Sequence, residues 1–275
     1  MSDDQAIARH YTHGALLDAI TAGVAALGKT PETVTIDDLA PIDEIHIGGR
    51  RASEDFLSQL RLGRNTQVLD VGCGLGGGSR FAASRFGCRV TGLDLTPEYI
   101  ETGRVLCQWV GLDDRIALHQ GSALEMPFDD ASFNAAYMMH VGMNIPDKAG
   151  LFAQVARVLR PGGVFGIYDV MQAGEDDLTL PVPWAETDAA NAIATPEVYL
   201  AALESAGLRV AAVRNRRAFA LDFFAELTAK AAAAEGPPPL GLHILMGATY
   251  AAKIKNMIEN ISAGHAAPVE LIARK

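Results

Sequence analysis

Val68-Leu69-Asp70-Val71-Gly72-Cys73-Gly74-Leu75-Gly76-Gly77-Gly78-Ser79 is the one stretch of this chain in which an apolar strand, a glycine loop and a helix start follow in immediate succession. Glycines fill five of the seven positions from 72 to 78. They let the backbone turn through conformations closed to other residues, and they let a ligand approach main-chain N–H groups without meeting a Cβ. The stretch reads as the cofactor loop of an α/β enzyme.

Downstream of the loop, the chain alternates. Ser79–Phe86 reads as a helix, Arg89–Leu95 as a strand ending at Asp94, and Thr96-Pro97-Glu98 as a helix start with Thr96 as N-cap and Pro97 in the first turn. Ile116–Gln120, Phe133–Met139 and Val164–Val170 read as further strands, with a helix from about Asp147 to Leu159 and a turn at Arg160-Pro161-Gly162-Gly163. This rhythm predicts a doubly wound, mostly parallel sheet. Beyond it come a helix at Pro196–Ala206 and strands at Leu208–Arg214 and Val269–Ala273. Between those two strands lies a helical insertion at about 219–262, broken by Gly236-Pro237-Pro238-Pro239, too long for a simple loop. Upstream, Leu17, Ile20, Val24 and Leu27 fall at helical spacing, Asp37–Pro41 and His46–Gly49 read as loops, and Ala52–Leu62 reads as a helix. The expected division is therefore an N-terminal helical lid at 1–63 and a catalytic domain at 64–275. The N-terminal helices and the insertion form a cap, in which Phe219, Phe223, Phe224, Leu240, Leu242 and Met246 supply an apolar lining.

Gly72, Gly74 and Gly77 also satisfy the G-x-G-x-x-G pattern of dinucleotide enzymes, so spacing alone leaves the ligand open. Charge separates the alternatives. Asp70 sits two residues before the first glycine, where its carboxylate repels a pyrophosphate and attracts a cation. S-adenosylmethionine, with a sulfonium and an ammonium, suits that position. Asp94, twenty-odd residues past the loop, has the reach to accept ribose hydroxyls.

A net charge of −10 and the lack of a basic stripe argue against nucleic acid and against an anionic membrane surface. Three cysteines without metal-ligand spacing point to a reducing compartment, and the N-terminus lacks a basic and apolar leader, so a cytoplasmic protein is expected. His10 and His13 share helical spacing, but no carboxylate–histidine set accompanies them, so no metal is expected.

With these residues laid out, the chain resembles the class I S-adenosylmethionine-dependent methyltransferases, and within them the small-molecule group that includes the sarcosine and dimethylglycine N-methyltransferases. The resemblance covers about residues 45 to 210. It rests on Val68–Gly74, Gly92–Thr96, Met126-Pro127-Phe128, His140–Lys148, Arg160–Gly163 and Pro181–Ala185. It implies a seven-stranded Rossmann-like sheet with the last strand antiparallel. It also implies cofactor contacts from Tyr11, Asp70, Gly72, Gly74, Asp94, Leu95, Ser122, Ala123 and Met139. Ser122 stands where an aspartate commonly accepts from adenine, and Met139 where glutamine is frequent, so an amino-acid acceptor does not carry over.

His140 follows the fourth strand and faces the glycine loop across the crevice if the strand order runs 3-2-1-4-5. It is the expected catalytic residue, acting on the acceptor as a base near pH 7. The resemblance gives Tyr11 a place in the lid over the cofactor, and His46 beside Gly48-Gly49 is a weaker candidate for the same crevice. The expected reaction is methyl transfer to an N- or O-nucleophile on a small molecule. A nicotinamide-dependent oxidoreductase and a methyltransferase scaffold that binds the cofactor without methyl transfer remain as alternatives, and the oligomeric state is open.

Overall fold

In a computed structural model of the chain, residues 11–12, 14–234 and 236–275 are described. His10 and His13 lie outside them.

The apolar segments on either side of the glycine loop pair into one seven-stranded sheet of order β3-β2-β1-β4-β5-β7-β6. Its strands are β1 (Gln67–Val71), β2 (Arg89–Asp94), β3 (Ile116–Gln120), β4 (Phe133–Met139), β5 (Leu159–Gln172), β6 (Arg209–Asn215) and β7 (Ala266–Arg274). The first five run parallel. β7 is antiparallel to both β5 and β6. The order reverses between β1 and β4, which lie side by side with Asp70 opposite Tyr137. A ligand crevice belongs at that switch point, outside the carboxyl ends of the strands.

Among the described residues, three α-helices precede the sheet: α1 (Leu16–Ala26), α2 (Ile36–Asp43) and α3 (Gly49–Leu57). Within it come α4 (Gly77–Phe86), α5 (Pro97–Trp109), α6 (Lys148–Val158) and α7 (Pro196–Ser205). The insertion carries α8 (Arg217–Ala233), the single turn α9 (His243–Met246) and α10 (Tyr250–Ala263). Two buried clusters cover the two faces of the sheet, around Leu151, Phe152 and Phe165 on one side and Phe56, Tyr137 and Tyr168 on the other.

The structure departs from the sequence reading at three places, and one cap is made differently from what its residue type suggests. Asp37–Pro41 is not a loop but the body of α2. Thr35 accepts from the Asp38 N–H while the Asp38 side chain accepts from the Thr35 N–H, a capping box strong enough to start a helix that then carries Pro41. Arg160–Gly163 is not a turn between elements: it lies inside β5, where the register against β4 slips between Phe133 and Ala135. Thr96 is the N-cap residue of α5 with Pro97 in its first turn, as the sequence predicts; its hydroxyl makes no capping bond, and its N–H donates to Asp94 Oδ1 at 2.9 Å. Phe219 does not face the cap interior but stacks under the guanidinium groups of Arg216 and Arg51, 3.9 and 4.8 Å from the ring centre.

The N-terminal helices and the insertion share one cluster. Leu16, Ile20, Val24, Leu39 and Ile42 from α1 and α2 pack with Leu240 and Leu245 of the insertion and with Tyr99 and Leu106 of α5. The two segments thus form a single wall over the carboxyl edge of the sheet.

Candidate active site

The glycine loop closes because its neighbours leave no room for a side chain. At Gly72, φ is +71° and an added Cβ would lie 2.6 Å from Val141 Cγ1, so the loop after β4 seats directly on it. At Gly77 a Cβ would meet the carbonyl oxygen of Asp43 at 2.5 Å, so α2 seats on the other side. Asp43 is held there by Arg80 of α4, whose Nη2 donates to Asp43 Oδ1 at 2.6 Å in an ion pair hidden from solvent.

These contacts enclose a cavity of about 240 Å³ above the loop. Tyr11, Asp70, Gly72, Gly74, Asp94, Leu95, Ser122, Ala123, Met139 and His140, the ten residues singled out from the sequence, all line it. Four aspartates (Asp43, Asp70, Asp94 and Asp147) line it as well, and among the described residues no lysine or arginine does. Such a lining opposes a pyrophosphate and favours a cation.

Asp94 and Asp70 are tied to the loop and the helix that follows it by hydrogen bonds. Asp94 Oδ2 accepts from the Gly74 N–H and Oδ1 from the Thr96 N–H, both at 2.9 Å, so the carboxylate ties β2 to the glycine loop and has a second lone pair on each oxygen for a ligand. Burial pushes its carboxyl up, opposed by those two N–H groups. Asp70 Oδ2 accepts from Ser79 Oγ at 2.6 Å and from Tyr137 Oη at 2.9 Å. Burial pushes its carboxyl up to about 7 against both hydrogen bonds, with Asp94 adding to the rise. A positively charged ligand would restore the carboxylate. Ser122 Oγ accepts from the Leu124 N–H at 3.3 Å, and Tyr11 donates to Asn144 Oδ1 at 3.1 Å, tying the lid to the loop after β4.

A second cavity, about 490 Å³, lies under the cap. Phe223, Phe224, Leu227, Leu240, Leu245, Met257 and Trp184 give it an apolar wall. Tyr11, Ile45, His46, Tyr99 and His140 line both cavities, so these residues mark the passage between them.

His140 is set into that passage by its backbone. It leaves β4 with φ +56°, a conformation rare outside glycine, while its N–H donates to the Tyr168 carbonyl at 2.7 Å. Lys148 pins the same loop by donating to the carbonyls of Ile145 and Ala192, at 2.5 and 2.9 Å. The Nε2 of His140 is buried and has no hydrogen-bond partner among the described residues. Burial, with a smaller push from His46, holds its imidazole well below the usual range, so it is neutral at pH 7.

Sequence reasoning rated His46 low and passed over Glu44, Ile45, Asp43, Tyr99 and Asn144. No local spacing marks them, because they come together only when the end of α2, the first turn of α5 and the loop after β4 meet over the glycine loop. Among the described residues no cluster of His, Cys, Asp and Glu is arranged to hold a metal, and no helix is long and apolar enough to cross a membrane.

A methyltransferase-domain family profile matches residues 68–163. The methyltransferase GfsG of Streptomyces halstedii is 30% identical over 196 residues, covering 70% of this chain and 68% of that protein. A sterol 24-C-methyltransferase of Gibberella zeae is 38% identical over 103 residues, but the match spans only 38% of this chain and 27% of that protein. Among solved structures, the geranyl diphosphate C-methyltransferase of Streptomyces coelicolor, crystallised with S-adenosyl-L-homocysteine, superposes with a TM-score of 0.71 at 22% identity, covering 100% of this chain and 98% of its own.

Proposed function

The chain belongs to the class I S-adenosylmethionine-dependent methyltransferases, and we propose that it methylates an O–H or N–H group on a largely apolar small molecule held under the cap. The observation that carries this reading is the junction: an apolar cavity meets the aspartate-lined one at two imidazoles, His46 and His140. A volume of about 490 Å³ is within the range of small-molecule sites, roughly 300–1,000 Å³.

The donor set fits the cofactor. Asp94 would hold the ribose hydroxyls, the amides of the glycine loop and Asp70 the charged end, and Ser122 and Ala123 the adenine side. When bound, the cofactor supplies an electrophilic methyl carbon on a sulfonium. Little covalent help is needed from the protein, whose part is to align the nucleophile on that carbon and to exclude water. His140, neutral and in the passage, orients the nucleophile. Removal of the proton falls to the imidazole pair.

A second reading, methylation at carbon, is supported by the apolar wall and by the names of the sterol and geranyl diphosphate enzymes. Release of S-adenosylhomocysteine from pools of apolar alcohols, phenols, amines and alkenes, followed by NMR of the methylated product, separates the two. A methyl on oxygen or nitrogen is expected; a methyl on carbon only would favour the second reading. His140→Ala is expected to lower turnover at least tenfold with the cofactor dissociation constant within about threefold. Normal turnover in that variant would remove His140 from the chemistry.

A further inference from the structure

His46 has what His140 lacks: a set of partners that fixes its tautomer and a carboxylate to balance its charge. Its Nε2 lies 3.2 Å from the Gly49 carbonyl oxygen, 3.1 Å from Ser53 Oγ and 3.3 Å from Glu44 Oε2. Ser53 has its own proton committed, donating to Glu44 Oε2 at 2.6 Å, so it presents only lone pairs to the ring. Three oxygen acceptors around one nitrogen place the ring proton on Nε2, which leaves Nδ1 with a lone pair. Among the described residues no hydrogen bond reaches Nδ1, and the residue lines both cavities.

We propose that His46, oriented by Gly49 and Ser53 and balanced by Glu44, is the base that receives the acceptor's proton at Nδ1. This rests on the O–H or N–H reading above. For a hydroxyl acceptor, the O–C bond forms as the S–C bond breaks with its electron pair going to sulfur. The O–H proton passes to Nδ1, and the imidazolium so formed faces the Glu44 carboxylate until product leaves.

The charged and titratable groups around the ring support this division of labour. Glu44 lies against Nε2 and favours the imidazolium, whereas Arg50, 3.2 Å from Glu44 Oε1, opposes it. His140 and Tyr168 pack edge-on, each with its ring centre 6.1 Å away. Burial holds His46 below the ordinary imidazole range, but Glu44 and the Gly49 carbonyl work against that shift, and nothing comparable acts on His140. His140 orients; His46 takes the proton.

Two measurements on the full chain test this. The first is long-range proton–nitrogen NMR of the ring with S-adenosylhomocysteine bound at pH 8. It should show His46 protonated at Nε2 and bare at Nδ1; a proton on Nδ1 overturns the proposal whatever the activity. The second uses any acceptor that the wild type methylates on oxygen or nitrogen. His46→Gln should lower kcat at least tenfold while S-adenosylhomocysteine affinity stays within threefold. Glu44→Gln should lower kcat less and move the acid limb of the pH–rate profile to lower pH, because the imidazolium loses its counter-charge. A His46→Gln enzyme within twofold of wild type, with an unmoved limb, defeats the role of His46 and leaves the function intact. A wild type that methylates no O–H or N–H acceptor defeats both.

Discussion

Asp70 shows how a single buried acid can read the charge of a ligand. In the free protein its carboxyl titrates at about 7, because burial outweighs the hydrogen bonds from Ser79 and Tyr137. The protonated form prevails below that value. A ligand that brings positive charge binds the carboxylate form better, so binding expels a proton, and affinity must rise with pH until Asp70 is ionised. S-adenosylmethionine should bind progressively more tightly from pH 5.5 to about 7, with proton release visible as a buffer-dependent heat in calorimetry. Above that the ligand's own ammonium, with an α-amino pKa of roughly 7.7–8.0, begins to lose charge and the rise ends. Asp70→Asn should flatten the profile. Affinity that does not change across this window in the unmodified protein would mean that Asp70 does not sense the ligand's charge.

At the scale of elements, the short helix α2 does more than its eight residues suggest. Its start is set by the Thr35–Asp38 capping box, its body buries Leu39 and Ile42, and its end presents Asp43 to the glycine loop and to Arg80. The capping box contributes about 1 kcal/mol. The ion pair is different in kind, because both partners are out of water. Removing one strands the other charge in the interior, at a cost of about 3–5 kcal/mol. Asp43→Ala should therefore destabilise the protein by that amount in urea denaturation, and Asp43→Ala with Arg80→Met should recover most of the loss. A single variant that costs less than about 1 kcal/mol would show that apolar packing alone seats α2 on the loop.

For the whole molecule, the decisive contact is between two segments far apart in the chain. Gly23 of α1 lies so close to the insertion that an added Cβ would sit 2.6 Å from the Pro239 carbonyl, and Leu240 and Leu245 complete the same cluster. Of this wall, Ala40 and Pro41 of α2 and Leu240, Leu242 and Leu245 of the insertion line the second cavity, with α1 packed behind them. A ligand that fills both cavities gains contacts with this shared wall, so amide exchange in α1 and across 236–262 should slow together when S-adenosylhomocysteine and acceptor are both bound. Equal protection with and without ligands would make the wall ordinary packing rather than a closing cap.

What the sequence determined by itself is the sheet and the cofactor end of the site. Apolar runs, glycine turns and helix starts are local signals, and in a parallel sheet they carry their own consequence, since every βα loop emerges at the same edge. Asp70, Gly72, Asp94 and His140 could be assigned to one crevice for that reason and Ser122 through the family resemblance, and all five line one cavity. The acceptor end was decided by the tertiary structure. His46 and His140 are brought within 6.1 Å only by docking α2 and α3 on the glycine loop, and Glu44 matters only because Ser53 and Gly49 fix which nitrogen of His46 holds the proton. Those are contacts between surfaces, set by packing shape and burial, and no spacing along a chain encodes them. Pro41 makes the same point in small: local propensity reads a breaker, while a capping box and two buried side chains hold the helix through it.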